Sequence, residues 1–207
     1  MRFLSVPTRL PCQYLAYAVS VCASSESQVP MDIQVVTSVP FPMDDVYHAM
    51  RDQMPALAEF MPNIASIQVE SRDDDSSGEV RLVNRWTAAA TEIPVVARGM
   101  IDPSNVYWLD HAHWKSEPQS CHWRLEMGFM SDRVQCQGIT RYIAQGPSTT
   151  QMEITGTLEL NLKGLVPRLL IGKVTAGVER FVGKLVEPNF QKTADALAAY
   201  LDSQAKA

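Results

Sequence analysis

The sequence predicts an α+β domain in which an antiparallel sheet of about seven strands is covered by a long C-terminal helix. Three features of the 207-residue chain support this fold class. The middle of the chain alternates apolar and polar residues with the period of half-buried strands. The C-terminal third changes to steps of three and four residues, which is the period of an amphipathic helix. The elements follow as strand, two short helices, six strands and helix, and the short turns favour sequential antiparallel pairing.

The composition is that of a globular protein and excludes several functional classes. Apolar residues make up 46% and charged residues 20% of the chain, which is enough for a hydrophobic core. The net charge of −5 argues against nucleic-acid binding, because phosphate contacts need a basic surface. No apolar stretch long enough to span a bilayer follows position 31.

Residues 1–30 are treated as an N-terminal extension, and the domain is placed at 31–203. The extension contains Arg2 and Arg9, has no acid before Glu26, and includes an apolar run at 15–23. Such a segment is typical of a targeting peptide, and also of a disordered extension that results from a start placed too early. Both interpretations stay open. We expect a cytoplasmic protein, with targeting by residues 1–30 as the alternative.

The first strand is predicted at 33–39, where β-branched residues dominate. Acids at Asp44 and Asp45 then favour a helix start, and the helical pattern runs to Met61 with a break near Pro55. Six alternating segments follow. They lie at 64–73, 79–89, 105–115, 121–129, 133–145 and 150–162.

The C-terminal helical stripe runs from Leu165 to Leu201, and Pro188 is predicted to kink or restart the helix. Gly156, on the apolar face of the last strand, is expected to let this helix approach closely. Basic residues outnumber acids on the helix, so it offers either a solvated outer face or a surface for transient contact with an anionic membrane. These residues are Lys163, Arg168, Lys173, Arg180, Lys184 and Lys192.

The order of elements over 31–203 resembles the START-like, or helix-grip, superfamily, which includes polyketide cyclase and coenzyme Q-binding proteins. The strand at 33–39 ends at Pro40 and is followed by Asp45-Val46-Tyr47, which is similar to the start of the family pattern. This resemblance implies a curved sheet that grips the C-terminal helix. It also implies a hydrophobic pocket between them for a lipid, isoprenoid or polyketide-like molecule.

The segment Asn84-Arg85-Trp86, with Pro94 and Trp108, loosely resembles the PRELI-type lipid-transfer branch. The helix-grip order and the aromatic and methionine inner faces predict a binding or carrier protein for a hydrophobic small molecule, more readily than an enzyme. Aromatic and methionine side chains at inward positions suit an adaptable apolar pocket, although the same residues also suit a solid core. The predicted ligand-binding residues are Trp86, Trp108, Trp123, Met127, Phe129, Ile154, Leu158, Val174, Val178 and Phe181.

One carboxylate is predicted to lie on the pocket wall. Asp110 shares a strand face with Trp108 and Trp114, and burial of its charge is costly unless the carboxylate is paired. A contact between Asp110 and Arg98, or between Asp110 and Asn84, would then form a polar gate. The alternative function is a cyclase/aromatase-type enzyme that uses Asp110 or His111 as acid or base in the same cavity.

Two cysteines on the predicted inner face are expected to be free. With a turn near 130–131, Cys121 pairs near position 140 and Cys136 near position 125. The two sulfur atoms are then several residues out of register, which is too far for a disulfide. We predict two buried thiols.

The histidines give no metal-site prediction. His111 and His113 share a strand face, but no carboxylate or cysteine stands at a diagnostic spacing from them. No cofactor is predicted either. The predicted partner is a hydrophobic small molecule, with no nucleic acid.

Overall fold

The computed structural model describes residues 28–89, 106–128, 131–161 and 190–206. It confirms the α+β class, with a seven-stranded antiparallel sheet, short N-terminal helices and a C-terminal helix. The elements are β1 (Gln28–Val39), α1 (Met43–Asp52), α2 (Met54–Leu57), a 3-10 turn (Ala58–Phe60), β2 (Ile64–Asp74), β3 (Val80–Ala88), β4 (Tyr107–Ser116), β5 (Gln119–Met127), β6 (Val134–Ala144), β7 (Thr150–Asn161) and α3 (190–205).

The strands are ordered β1-β7-β6-β5-β4-β3-β2, and every neighbouring pair is antiparallel. Strands β2 to β7 therefore form the predicted meander, and β1 joins it beside β7. The strand at each edge of the sheet lies next to a helical segment in the chain. No helix in the described ranges is long and apolar enough to cross a membrane.

Strand β1 begins earlier than the sequence pattern predicts. It starts at Gln28 instead of position 33, and its first residue lies opposite Asn161 of β7. The backbone of β7 offers a partner along its whole length, and backbone pairing requires no particular side-chain pattern. The pattern of β-branched residues therefore underestimates the length of this strand.

Helix α1 packs on one end of the sheet through its apolar side. Asp44 and Asp45 lie in its first turn, where acids interact favourably with the helix dipole. Val46 and Tyr47 are almost fully buried in the core. The helix is interrupted between α1 and α2, and Pro55 lies in the first turn of α2, where proline is tolerated. The predicted break is confirmed.

The sheet has an inner face, which carries the buried side chains, and an outer face. On β3 the inner positions Val80, Leu82, Asn84 and Trp86 are buried, and the residues between them are more exposed. The register extends this face across the sheet, because residues opposite each other on neighbouring strands point to the same side. The alternation predicted for this strand is confirmed.

Helix α3 packs against the inner side of the sheet. Leu197 is fully buried in the core, and the ring of Phe190 lies 6.2 Å from that of Trp123, centroid to centroid. The Thr37 hydroxyl of β1 donates a 2.9 Å hydrogen bond to the Gln191 side-chain oxygen. The helical pattern at 165–189, including the predicted kink at Pro188, lies outside the described residues, as does most of the basic series.

Cys121 and Cys136 are both free and buried. Cys121 lies opposite Thr140, and Cys136 lies opposite Leu125. Both the predicted register and the predicted free thiols are confirmed. Burial raises the pKa of Cys136 to about 11, so its thiol stays protonated at neutral pH.

Candidate functional site

One end of the inner face is closed by interlocking aromatic rings. The rings of Trp114 and Tyr142 each lie 5.5 Å from the ring of Tyr47, in edge-to-face contact. Trp114 also stacks on Tyr142 at 6.0 Å. Their relative exposures are 1% for Tyr47, 3% for Trp114 and 5% for Tyr142. We call these three residues the sealed end.

The other end of the inner face is less covered. Trp108, Leu125, Met127 and Leu158 lie on inner positions of β4, β5 and β7, yet all four are only half-buried. Trp86 stacks on Trp108 with the ring centroids 5.7 Å apart and the planes 19° from parallel. We call these five residues the open end. Four of its five side chains, all but Trp86, retain accessible surface.

Asn84 and Asp110 lie between the two ends. They are direct partners in the register of β3 and β4, one row from the Trp86–Trp108 pair. The Oδ1 atoms of both residues are buried and have no hydrogen-bond partner within the described parts of the chain. Asn84 as a whole is 2% exposed. Two buried acceptor oxygens therefore face the same side without donors from the described parts of the chain.

The environment of Asp110 changes its acidity. Burial raises the pKa of the Asp110 carboxyl to about 7, because loss of water disfavours the charged form. Burial, with a contribution from the Asp110 charge, also raises the pKa values of Cys121 and Tyr142. The Asp110 carboxyl thus changes its charge near neutral pH while its neighbours stay uncharged.

Further polar atoms on this face lack partners among the residues that are described. Trp86 Nε1, Trp114 Nε1 and the hydroxyl of Tyr142 are buried without a hydrogen bond in the residues that the structure describes. Each such group costs about 1–3 kcal/mol of desolvation. By contrast, Trp123 Nε1 donates to Thr140 Oγ1 at 3.2 Å. Of these groups, Trp86 Nε1 lies at the open end, where a bound molecule could supply a partner.

Trp123 lies across a pair of glycines. Gly138 and Gly156 face each other on β6 and β7, and a Cβ atom at either position would collide with the indole ring of Trp123. The sequence prediction for Gly156 was a close approach of the C-terminal helix. Within the described residues the space above Gly156 is taken by the ring of Trp123, which fits there because neither glycine has a side chain.

The structure brings six of the ten predicted ligand-binding residues to one face. Trp86, Trp123 and Ile154 are buried there, and Trp108, Met127 and Leu158 are half-buried. Phe129, Val174, Val178, Phe181 and the predicted gate residue Arg98 lie outside the described residues. Of the predicted polar gate, the structure therefore describes Asp110 with Asn84 opposite it, and the two side chains make no hydrogen bond to each other at their Oδ1 atoms.

His111 is on the wrong face for the catalytic role considered above. Successive residues of a strand point to opposite sides, so Asp110 faces inward and His111 outward. His111 Nε2 lies 3.1 Å from Glu126 Oε2, and His113 Nε2 lies 2.6 Å from Glu79 Oε2, both on the outer face. Among the described residues no three histidine, cysteine or acidic side chains are grouped as metal ligands.

The outer face carries a separate open groove with a volume of about 620 Å³. Most of its wall is made by outward-facing side chains of β4 to β7, and these are largely polar. They are His111, His122, Arg124, Gln137, Ile139, Thr155 and Thr157. The polar lining and the openness of the groove make it a poor match for the apolar molecule that the sequence predicts.

Tyr47 and Tyr142 border the site but were not predicted as part of it. The signal for Tyr142 was present, since it shares strand parity with Cys136, Gly138 and Thr140 on β6. Tyr47 belongs to the apolar side of α1. Its position over β6 depends on how the helix docks, which helical periodicity does not specify.

Comparisons with known proteins agree with this architecture. No protein-family model matches the chain, and no curated protein matches its sequence. Among solved structures, the Zhui aromatase/cyclase from Streptomyces sp. R1128 matches with a TM-score of 0.61 and 13% identity, over 85% of this chain and 96% of that chain. Norcoclaurine synthase from Thalictrum flavum gives a TM-score of 0.55 and 13% identity over 98% of both chains.

A START superfamily protein from Mycobacterium smegmatis matches with a TM-score of 0.53 and 14% identity, over 84% of this chain and 98% of that chain. These matches confirm the START-like helix-grip fold that the sequence predicted. At these identities the similarity establishes the fold alone. Enzymes are among the neighbours, so the fold by itself does not decide between binding and catalysis.

Proposed function

We propose that the protein binds a hydrophobic small molecule at the open end of the inner face, and acts as a binding or carrier protein. The lipid, isoprenoid or polyketide-like molecules implied by the fold are the ligand classes considered. One observation carries the proposal: the half-buried apolar side chains of the open end adjoin buried polar atoms that lack partners among the described residues.

The half-buried apolar side chains and the unpartnered polar atoms both favour a bound ligand over a solid core. A well-packed core satisfies its polar groups and buries its large side chains. Trp108 and Met127 point to the interior of the fold but keep accessible surface. A ligand of suitable shape would bury this surface, at about 25 cal/mol per Å² of apolar area, and could donate to Asn84 and Asp110.

The test is a site-filling substitution with a matched control. Leu125→Trp adds volume between Asp110 and Cys136, the neighbours of Leu125 in the register. Val36→Trp adds the same side chain at a position that is 58% exposed, and serves as control. Binding is followed by the fluorescence of N-phenyl-1-naphthylamine, a neutral apolar probe.

We expect Leu125→Trp to weaken probe binding at least about tenfold, equivalent to about 1.4 kcal/mol, and Val36→Trp to leave it unchanged. Native mass spectrometry of the purified wild type, with and without added probe, gives the stoichiometry. Equal binding by both variants, or no binding to the wild type, would contradict the proposal.

A second candidate is a cyclase/aromatase-type enzyme with Asp110 as its acid or base. The specific observation in its favour is a pKa of about 7, raised by burial, on an inward-facing carboxyl. A carboxylate base would remove an α-proton from a bound ketone to give the enolate, and would return a proton to the same carbon.

This function is tested with propiophenone in D₂O. Exchange of its α-protons, followed by NMR, should be accelerated by the wild type, increase as pH rises through 7, and be lost in Asp110→Asn. An absence of acceleration at protein concentrations that bind the ketone would remove the catalytic candidate and leave binding in place.

A further inference from the structure

We infer that the ligand of this site is an amphiphilic amine whose ammonium group sits between Asn84 and Asp110. This inference rests on the proposed binding function and specifies its ligand class. It follows from the arrangement of hydrogen-bond acceptors, of charge and of aromatic rings on the inner face.

The acceptors are placed for a group with more than one donor. Asn84 and Asp110 are opposite each other on neighbouring strands, where side chains on one face are about 4.5–5.5 Å apart at Cβ. Their Oδ1 atoms are buried and without partners in the described ranges. A primary ammonium has three N–H donors, so it can donate to both oxygens at once. A hydroxyl group has one O–H and can satisfy only one of the two.

The charge balance of the inner face also favours a cation. Inner-face positions of β3 to β7, as far as these strands are described, carry no lysine, arginine or histidine. Cys121 of β5 and Tyr142 of β6 interact electrostatically with Asp110, and both are neutral. Tyr47 of α1 lies beside Tyr142 and is neutral as well. Among the described residues, no cation is therefore placed to neutralise Asp110.

Basic side chains of the neighbouring elements α1, β2 and α3 have partners or are exposed. Arg51 of α1 donates two hydrogen bonds to Asp52, and Arg72 of β2 bonds to Asp52 and Asp74. Lys192 of α3 is exposed to solvent. A ligand cation would thus supply a charge that the described part of the protein does not provide.

The aromatic pair beside the carboxylate suits the rest of such a molecule. Trp86 and Trp108 stand two residues from Asn84 and Asp110 along their strands, about 6.6 Å at 3.3 Å per residue, and on the same face. Indole faces attract cations and provide flat apolar surface. An ammonium between Asn84 and Asp110 would place an attached aromatic or aliphatic group against these rings, at the open end.

The inference is tested with two probes that differ only in their polar group, 1-naphthylmethylamine and 1-naphthalenemethanol. At pH 8 the amine is protonated, and we expect the wild type to bind it at least about thirtyfold more tightly than the alcohol. This preference should decrease at pH 5.5, where Asp110 is protonated, and should disappear in Asp110→Asn. Glu126→Gln, which removes an outer-face carboxylate of the neighbouring strand, is the matched control and should keep the preference.

The outcomes separate this inference from the proposed function. Equal or tighter binding of the alcohol at pH 8, or an amine preference that survives in Asp110→Asn, overturns the amine inference while binding at the open end stands. If neither naphthalene binds and N-phenyl-1-naphthylamine also fails, both the proposed function and this inference are wrong. Circular dichroism and thermal unfolding of each variant identify any loss of folding.

Discussion

The sealed end and the open end are built from the same strands, yet they are packed differently. Trp114 and Trp108 both stand on β4, six residues apart and on the same face. Trp114 is 3% exposed beneath Tyr47 of α1, whereas Trp108 is half-buried and stacks on Trp86. The difference shows that the alternation along a strand determines which side chains point inward. Which of them become core depends on the element that covers them.

The ion pairs of Asp52 lie at the sealed end and not at the open end. Asp52, at the end of α1, accepts hydrogen bonds from Arg51 and from Arg72 of β2. These contacts connect α1 to the edge strand on the sealed side. Surface pairs of this kind contribute about 0–1 kcal/mol, so the position of α1 depends mainly on its buried face.

Truncation of the two tryptophans should give the largest difference between the ends. Trp114→Ala removes a buried ring that contacts both Tyr47 and Tyr142, and we expect a loss of about 3–5 kcal/mol in the free energy of unfolding. Trp108→Ala should cost roughly 1–2 kcal/mol, because part of its ring stays in contact with water. Urea denaturation of the two variants measures both values, and similar losses would remove the distinction between the ends.

The charge of Asp110 should make stability depend on pH. Its folded pKa of about 7 exceeds the unfolded value of 3.8, because burial disfavours the carboxylate. Between about pH 4 and pH 7 the folded state therefore holds a proton that the unfolded state has lost, and stability falls as pH rises. The wild type should lose up to roughly 4 kcal/mol over this range, at about 1.4 kcal/mol per pKa unit.

Asp110→Asn removes this titration and should be more stable than the wild type at pH 8, although not at pH 4. Thermal unfolding between pH 4 and pH 8 measures the difference. Asp74→Asn is the control of opposite sign, because hydrogen bonds from Arg72 lower the pKa of Asp74. In that variant, stability relative to wild type should decrease as pH rises. A pH-independent difference for Asp110→Asn would contradict the buried, unpaired carboxylate.

The glycines under Trp123 give the next test. A Cβ atom at Gly138 would collide with both the Thr155 carbonyl oxygen and the Trp123 ring. We expect Gly138→Ala to cost about 1–3 kcal/mol through overpacking. At Gly128 the three atoms nearest to the added Cβ all belong to the half-buried side chain of Tyr107 and none to the backbone. Gly128→Ala is the matched comparison and should cost less in the same urea experiment.

The sequence predicts the sheet well because strand parity depends on local alternation. The inward positions Asn84, Asp110 and Cys121 follow from counting residues along β3, β4 and β5, and one turn position is enough to place Cys136 opposite Leu125. The register between β3 and β4 then follows from the meander. Most of the described site was therefore predictable at the level of which residues share a face.

What the sequence does not predict depends on tertiary contact. The extension of β1 to Gln28 depends on its partner β7, and the space above Gly156 is filled by Trp123, a residue distant in the chain. The pairing state of Asn84 and Asp110 is also a property of three-dimensional geometry. A pattern identifies both as inward-facing polar residues. It cannot predict that the Oδ1 atoms of both are buried without a hydrogen-bond partner among the described residues.

The smallest expected effect concerns single polar atoms at the sealed end. Tyr142 OH is buried without a hydrogen bond in the described residues, so Tyr142→Phe deletes a desolvated group and leaves the ring contacts with Tyr47 and Trp114 in place. We expect stability to stay within about 1 kcal/mol of wild type, or to rise. Trp123→Phe removes the bonded Nε1 and should be destabilising by more than 1 kcal/mol. A loss of about 2 kcal/mol or more in Tyr142→Phe would mean that the Tyr142 hydroxyl has a hydrogen-bond partner in the folded protein.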